Sequence, residues 1–178
     1  MKIKQVILPL QDDCIKDLRA GDLVSLSGYL YTGRDAAHKR LLDAIKKNES
    51  LPFNLRNETI YYVGPAPSKP GKIIGSAGPT TSYRMDPFTV PLLDRGLKAM
   101  IGKGTRSQLV IEAIKRNGCI YFGAVGGAAA LISKSIVEKE LVAYEDLGPE
   151  AIYRLKVQDF PVIVVIDSRG QSLYNQKD

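Results

Sequence analysis

Short runs of strand-forming residues alternate along this chain with stretches of helical periodicity, and glycines stand at the joins. That order restricts the chain to a layered α/β or α+β architecture. Residues 22–30 alternate apolar and polar side chains with period two and stop at Gly33, as a strand does. Residues 35–47 place Ala36, Leu41, Leu42 and Ile45 at helical spacing. Thr59-Ile60-Tyr61-Tyr62-Val63 is a β-rich run closed by Gly64-Pro65, a proline- and lysine-bearing loop follows, and Lys72-Ile73-Ile74-Gly75 reads as a further extended piece. Asp86-Pro87 predicts a helix with an acidic N-cap and proline at its first position, ending before Gly96. A short strand is expected over 97–101. A second helix is then capped by Thr105 and ends in Lys115-Arg116 ahead of Gly118. Ile120-Tyr121-Phe122 is another strand, 128–136 is helical, and 153–157 and 161–166 are closing strands with a hairpin turn at Ser168-Arg169-Gly170. With 178 residues, 44% of them hydrophobic, and neither repeat nor linker, one domain spanning 1–178 is expected.

Several function classes drop out. The first residues, Met1-Lys2-Ile3-Lys4-Gln5-Val6-Ile7-Leu8, are basic but lack the apolar core of a signal peptide, and no apolar run approaches the roughly 18 residues that span a bilayer, so a cytoplasmic location is expected. The 2 cysteines, Cys14 and Cys119, are too few for a disulfide framework, and with 1 histidine they cannot build a zinc site or an iron–sulfur cluster on this chain alone. The net charge of +6 admits nucleic acid, an acidic partner or a small anion. Because the charge is scattered, Trp is absent and basic residues do not interleave with aromatic ones, nucleic acid is the least favoured.

The strand-to-helix junctions share a design: Gly33-Arg34-Asp35, Gly78-Pro79-Thr80-Thr81-Ser82-Tyr83-Arg84, Gly102-Lys103-Gly104-Thr105-Arg106 and Gly126-Gly127. Ligands of layered α/β proteins gather where strand ends meet helix starts. Free N–H groups there suit carboxylates and phosphates, and arginine can grip a carboxylate through two parallel hydrogen bonds. Arg34, Arg84, Lys103 and Arg106 add fixed charge, so a small, strongly anionic ligand is expected. Taken singly, each turn is also what a strand needs merely to reverse into a helix. No phosphate loop ending in Gly-Lys-Ser/Thr and no Gly-x-Gly-x-x-Gly fingerprint occurs.

His38 follows Asp35 by three positions in a first helical turn, so the two share a face. A carboxylate there would fix the ring's tautomer, and the helix N-terminus favours the neutral imidazole; this suits acid/base work or binding of a substrate hydroxyl. The alternative is a surface histidine with Asp35 as a simple N-cap.

The string Gly28-Tyr29-Leu30-Tyr31-Thr32-Gly33-Arg34-Asp35-Ala36-Ala37-His38-Lys39-Arg40 resembles the opening motif of the class I fumarase C-terminal domain and of the corresponding separate β subunits. Gly78-Pro79-Thr80-Thr81-Ser82-Tyr83-Arg84-Met85-Asp86, Gly102-Lys103-Gly104, Val125-Gly126-Gly127-Ala128-Ala129-Ala130, the stretch 145–153 and Asp159-Phe160-Pro161-Val162 match in the same order. The resemblance implies a swivelling β/β/α domain and a separate α subunit whose three cysteines hold a [4Fe–4S] cluster. It implies a hydro-lyase of the tricarboxylic acid cycle, acting on the dicarboxylate (S)-malate to give fumarate, within an α2β2 assembly. By matching positions, it implies His38 in the active site with Asp35 orienting it. Arg34, Arg84, Lys103 and Arg106 would hold carboxylates or steady the site, and Thr80, Thr81, Gly126 and Gly127 would line it; no residue of this chain would hold metal. The same family includes L(+)-tartrate dehydratase β subunits, from which Lys103-Gly104-Thr105-Arg106-Ser107 and Gly126-Gly127-Ala128-Ala129 lean toward the fumarase side. A non-catalytic anion-binding module is the remaining alternative.

Overall fold

A computed structural model of the chain describes residues 2–125 and 129–175. The chain opens with β1 (Lys4–Ile7) and α1 (Asp12–Asp17), then β2 (Leu23–Thr32), α2 (Asp35–Lys46) and β3 (Thr59–Tyr61). A 3₁₀ turn (Ser82–Met85) leads into α3 (Asp86–Asp94), followed by β4 (Ala99–Gly102), α4 (Gln108–Asn117) and β5 (Ile120–Ala124). Then come α5 (Ala129–Ser135), β6 (Ile136–Ala143), a 3₁₀ segment (Glu145–Glu150) and the long β7 (Ile152–Ile166). The result is a mixed α/β protein.

Among the described residues the strands form one sheet in the order β1-β2-β3-β4-β5-β7-β6. β1 to β5 run parallel to their neighbours, so the ends of β2, β3 and β4 emerge on one edge. β7 lies antiparallel to β5 and also pairs with β2 from Leu23↔Ile163 to Tyr31↔Arg154, which closes the sheet upon itself. Alternation then divides the strand side chains between two cores. Tyr61, Ile101, Phe122 and Val164 point into one, shared with Leu26, Leu155 and Phe160 across the closed sheet. Ile60, Tyr62, Met100, Tyr121 and Val165 point into the other, against Leu41 of α2, Leu92 and Leu93 of α3 and Val110 and Ile114 of α4.

Several local expectations change. Thr105 does not cap α4: Ser107 does, its hydroxyl accepting the Val110 amide, while Gly118 ends the helix at φ 62° as expected. Asp86 is the first helical residue of α3, with Met85 as N-cap, and Arg34 rather than Asp35 is the N-cap of α2. Lys72-Ile73-Ile74-Gly75 is not a strand; it belongs to a loop in which Ala66 donates to the Ser76 carbonyl. The two closing strands are one, carried past an irregularity at Asp159, whose φ is 54°. Gly126 and Gly127 lie outside the described residues. Among the described residues, no helix is long and apolar enough to cross a membrane.

Candidate active site

The parallel strands deliver their ends side by side, and the loops that leave them carry the cationic residues. Arg34 follows the end of β2 and is the N-cap of α2. Its Nε lies 3.9 Å from both Asp35 and Glu150, too far to bond either, and has no hydrogen-bond partner. The guanidinium passes over Gly64 beyond the end of β3; a Cβ there would meet Arg34 Cδ and Nη1 at 2.9 Å. Gly64 is therefore the residue that lets Arg34 lie against the backbone.

Arg84 reaches the same place from a distant part of the chain. Its Nε and Nη2 donate to the two oxygens of Asp35 at 3.1 and 2.7 Å, a bidentate pair on the surface. Thr80 is held by its amide, which donates to the Tyr62 carbonyl at 2.7 Å. Thr81 forms a parallel bridge with Lys103, just past the end of β4. Arg34, Asp35, Thr80, Thr81, Arg84 and Lys103 thus share one edge, all at least partly open to solvent.

His38 and Arg106 lie beneath that edge. His38 is 0% exposed. Its Nδ1 is 2.8 Å from the carbonyl of Arg34, its ring packs edge-on to Tyr62 at 5.3 Å, and Nε2 has no partner. Burial pushes its pKa down to about 4; the Arg34 carbonyl and Asp35 oppose this, and Arg106 adds to it. The ring is neutral at neutral pH. It is oriented by the Arg34 carbonyl, not by the Asp35 carboxylate, which is engaged by Arg84. The two readings of the sequence, an Asp-oriented histidine and a surface histidine, both give way to a buried ring anchored on the backbone.

Arg106 is also interior. Its Nε donates to Asp86 at 2.6 Å, Nη2 donates to Thr89 Oγ1 at 3.0 Å and Tyr62 Oη at 3.2 Å, and the guanidinium stacks over Tyr62 and Tyr121. The Asp86 carboxylate also accepts the Ser107 amide. With its side chain 0% exposed, Arg106 braces α3 against the start of α4 and has no free face for a ligand carboxylate. A cleft of about 810 Å³ between α3 and α4, lined by Tyr83, Val90, Leu109 and Arg116, borders this pair from outside and is not lined by Arg34, Thr80, Thr81 or Lys103.

Tyr62, Ser82, Asp86, Glu150 and Tyr121 were not singled out from the sequence, yet each touches this region. Ser82 and Asp86 carry a legible signal, both as polar residues of the Gly78-to-Asp86 string, and Glu150 stands in the matching stretch 145–153. Metal is a different matter. Among the described residues, no group of three or more His, Cys, Asp or Glu side chains is placed to hold an ion. Cys119 is buried with its thiol pushed up to about 12 by burial, and burial also raises that of Cys14. A cluster needs at least three convergent thiolates, and these two cysteines, one on α1 and one in the core beside Leu97, do not supply that set.

A family model described as Fumarase C-terminus matches residues 2–177. The chain belongs to this family. It is 42% identical over 156 residues to the anaerobic class I fumarate hydratase of Escherichia coli, covering 86% of this chain and 28% of that protein. To the aerobic class I fumarate hydratase of Salmonella typhimurium it is 39% identical over 155 residues, covering 86% and 27%. A relative of its own size is the putative L(+)-tartrate dehydratase subunit beta of Methanocaldococcus jannaschii, 38% identical over 168 residues and covering 91% of this chain and 86% of that one. The chain therefore spans little more than a quarter of the length of the fumarate hydratases it matches.

Proposed function

We propose that this chain is the β subunit of a heteromeric class I fumarate hydratase, which with a cluster-bearing α subunit interconverts (S)-malate with fumarate and water. The observation that carries this reading is the open edge where Arg34, Arg84 and Lys103 meet Thr80 and Thr81. A dianionic substrate needs cations at both ends and a hydrogen-bonding group between them, and this edge offers both. The edge is a surface, so in this reading a second chain closes over it and shields the site from bulk solvent while the one reacting water remains.

The [4Fe–4S] cluster belongs on that second chain in this reading, because the described residues of this one do not assemble metal ligands. Arg34, Arg84 and Lys103 bind the carboxylates, and Thr80 and Thr81 meet the substrate's polar groups. His38 acts from below by holding Arg34, and the α subunit supplies acid/base groups for the C–H proton and the departing hydroxyl. We further assign the closed sheet with its helical layer to the swivelling β/β/α type, residues 1–178 to one domain, the assembly to α2β2 and the location to the cytoplasm.

The decisive experiment is anaerobic reconstitution with the α subunit followed by assays of malate and fumarate. This chain alone should be inactive and the complex active. A complex with intact cluster that ignores both compounds defeats the reading. One observation favours a second substrate: the relative that this chain matches almost end to end is named a putative tartrate dehydratase subunit. Turnover of L(+)-tartrate in place of malate would establish that alternative.

A further inference from the structure

Ser82 sits in the middle of the loop that presents Thr80, Thr81 and Arg84, but its own side chain turns inward and is 0% exposed. The Lys103 amide donates to Ser82 Oγ at 3.0 Å, and the Ser82 amide donates to the Lys103 carbonyl at 2.9 Å. Tyr121 Oη lies 2.8 Å from Ser82 Oγ and 2.8 Å from the Gly104 carbonyl. One assignment of protons serves every contact. Lys103 N–H donates to Ser82 Oγ, the Ser82 hydroxyl donates to the Tyr121 oxygen, and the Tyr121 hydroxyl donates to the Gly104 carbonyl.

Close approach makes the circuit possible. A Cβ on residue 102 would lie 1.9 Å from Ser82 Oγ, so only glycine there lets the serine reach the end of β4. The Tyr121 ring is buried, its hydroxyl held in the protonated state by that burial, and its far face is covered by the Arg106 guanidinium at 4.9 Å. These bonds tie the backbone of Lys103 and Gly104 to the loop bearing Thr81 and Arg84.

We propose that Ser82 and Tyr121 are positioning residues that fix the spacing between Lys103 on one strand end and Thr81 and Arg84 on the neighbouring loop, and with it the length of dicarboxylate the edge accepts. This rests on the functional reading above. Neither residue touches substrate; each acts through the backbone it holds.

Tyr121→Phe and Ser82→Ala in the complex with the α subunit test it. Each removal leaves a buried polar group without its partner, a loss large enough to raise KM for malate about tenfold while kcat falls less. The preference for succinate over glutarate as competitive inhibitors should shrink in parallel. A purely structural role would lower the yield of folded complex and leave KM and the inhibitor ratio unmoved, and that outcome overturns the proposal. A wild-type complex without turnover overturns the functional reading instead. The clip is then read from the Lys103 amide of the full chain: hydrogen exchange at least about tenfold faster in Ser82→Ala supports it, and wild-type exchange refutes it.

Discussion

The Nδ1 nitrogen of His38 lies 2.8 Å from the carbonyl oxygen of Arg34, the same oxygen that accepts the His38 amide at 2.9 Å. A carbonyl only accepts, so the ring proton is on Nδ1 and the buried Nε2 carries the lone pair. The imidazole is thus a strut under the residue that caps α2, and Arg34 stands on it. His38→Asn should therefore displace Arg34 and raise KM for malate, while kcat per assembled complex falls by less. A collapse of kcat at constant KM would point instead to proton transfer by His38.

Burial of this histidine also gives the fold a pH dependence. An unfolded histidine titrates near 6.5, and the folded one is pushed down to about 4. Between those values the unfolded chain binds a proton that the native one refuses, so stability rises with pH across the window. The contribution is complete above the unfolded pKa and is lost as pH falls toward the folded one, amounting to about 3 kcal/mol in all. Urea unfolding at about pH 7 and about pH 4.5 measures it, and a His38→Phe variant should lose less on acidification than the wild type. Equal losses would show that other groups set the acid sensitivity.

Arg84 and Asp35 make a surface pair, and such pairs contribute little to stability. Arg84→Ala should leave the free energy of unfolding within about 1 kcal/mol of the wild type and still raise KM for malate at least about tenfold, because a cation of the substrate edge is lost. Arg84→Lys keeps the charge but not the planar fork, and should recover only part of the loss. Unchanged KM in both variants would remove Arg84 from the substrate edge.

The layered architecture was legible because its signals are local. The period-two pattern of β2, the helical spacing of α2 and the Gly118 cap are each visible in a dozen residues. The edge was legible because glycine turns and arginines recur at strand ends. What failed was whatever depended on distance or on a weak pattern. β6 reads Ile136-Val137-Glu138-Lys139-Glu140-Leu141-Val142-Ala143, which alternates poorly and becomes a strand only by pairing with β7. β7 looked like two strands because Gln158-Asp159 interrupts its apolar run. Spacing along the chain pairs Asp35 with His38, whereas its partner Arg84 comes from across the fold. The burial of Arg106 could not be told from the exposure of Lys103, since a sequence shows charge and not accessibility.

Arg106 supplies a test of that last distinction. Its ion pair with Asp86 is buried, the two side chains being 0% and 10% exposed. Removing one member of such a pair strands the other charge and commonly costs about 3–5 kcal/mol. Arg106→Met should lower the free energy of unfolding by that order, and Arg106→Met combined with Asp86→Leu should recover much of the loss. If Arg106→Met folds as stably as the wild type and only KM rises, the arginine serves the ligand after all.

The two cysteines address the cluster. Cys119 donates its thiol to the Leu97 carbonyl within the core, and Cys14 lies on α1. Burial raises both thiols, and the two are not joined by further His, Cys, Asp or Glu side chains into a ligand set among the described residues. The Cys14→Ser, Cys119→Ala double variant should accordingly join the α subunit and carry the same iron and sulfide per complex as the wild type, with an unchanged cluster absorption spectrum. Cys119→Ala removes a buried sulfur and should cost some stability, so complex yield is measured alongside. A complex that forms in normal yield with less iron would mean that this chain ligates the cluster directly. The division of labour between cations on one chain and metal on the other would then fall.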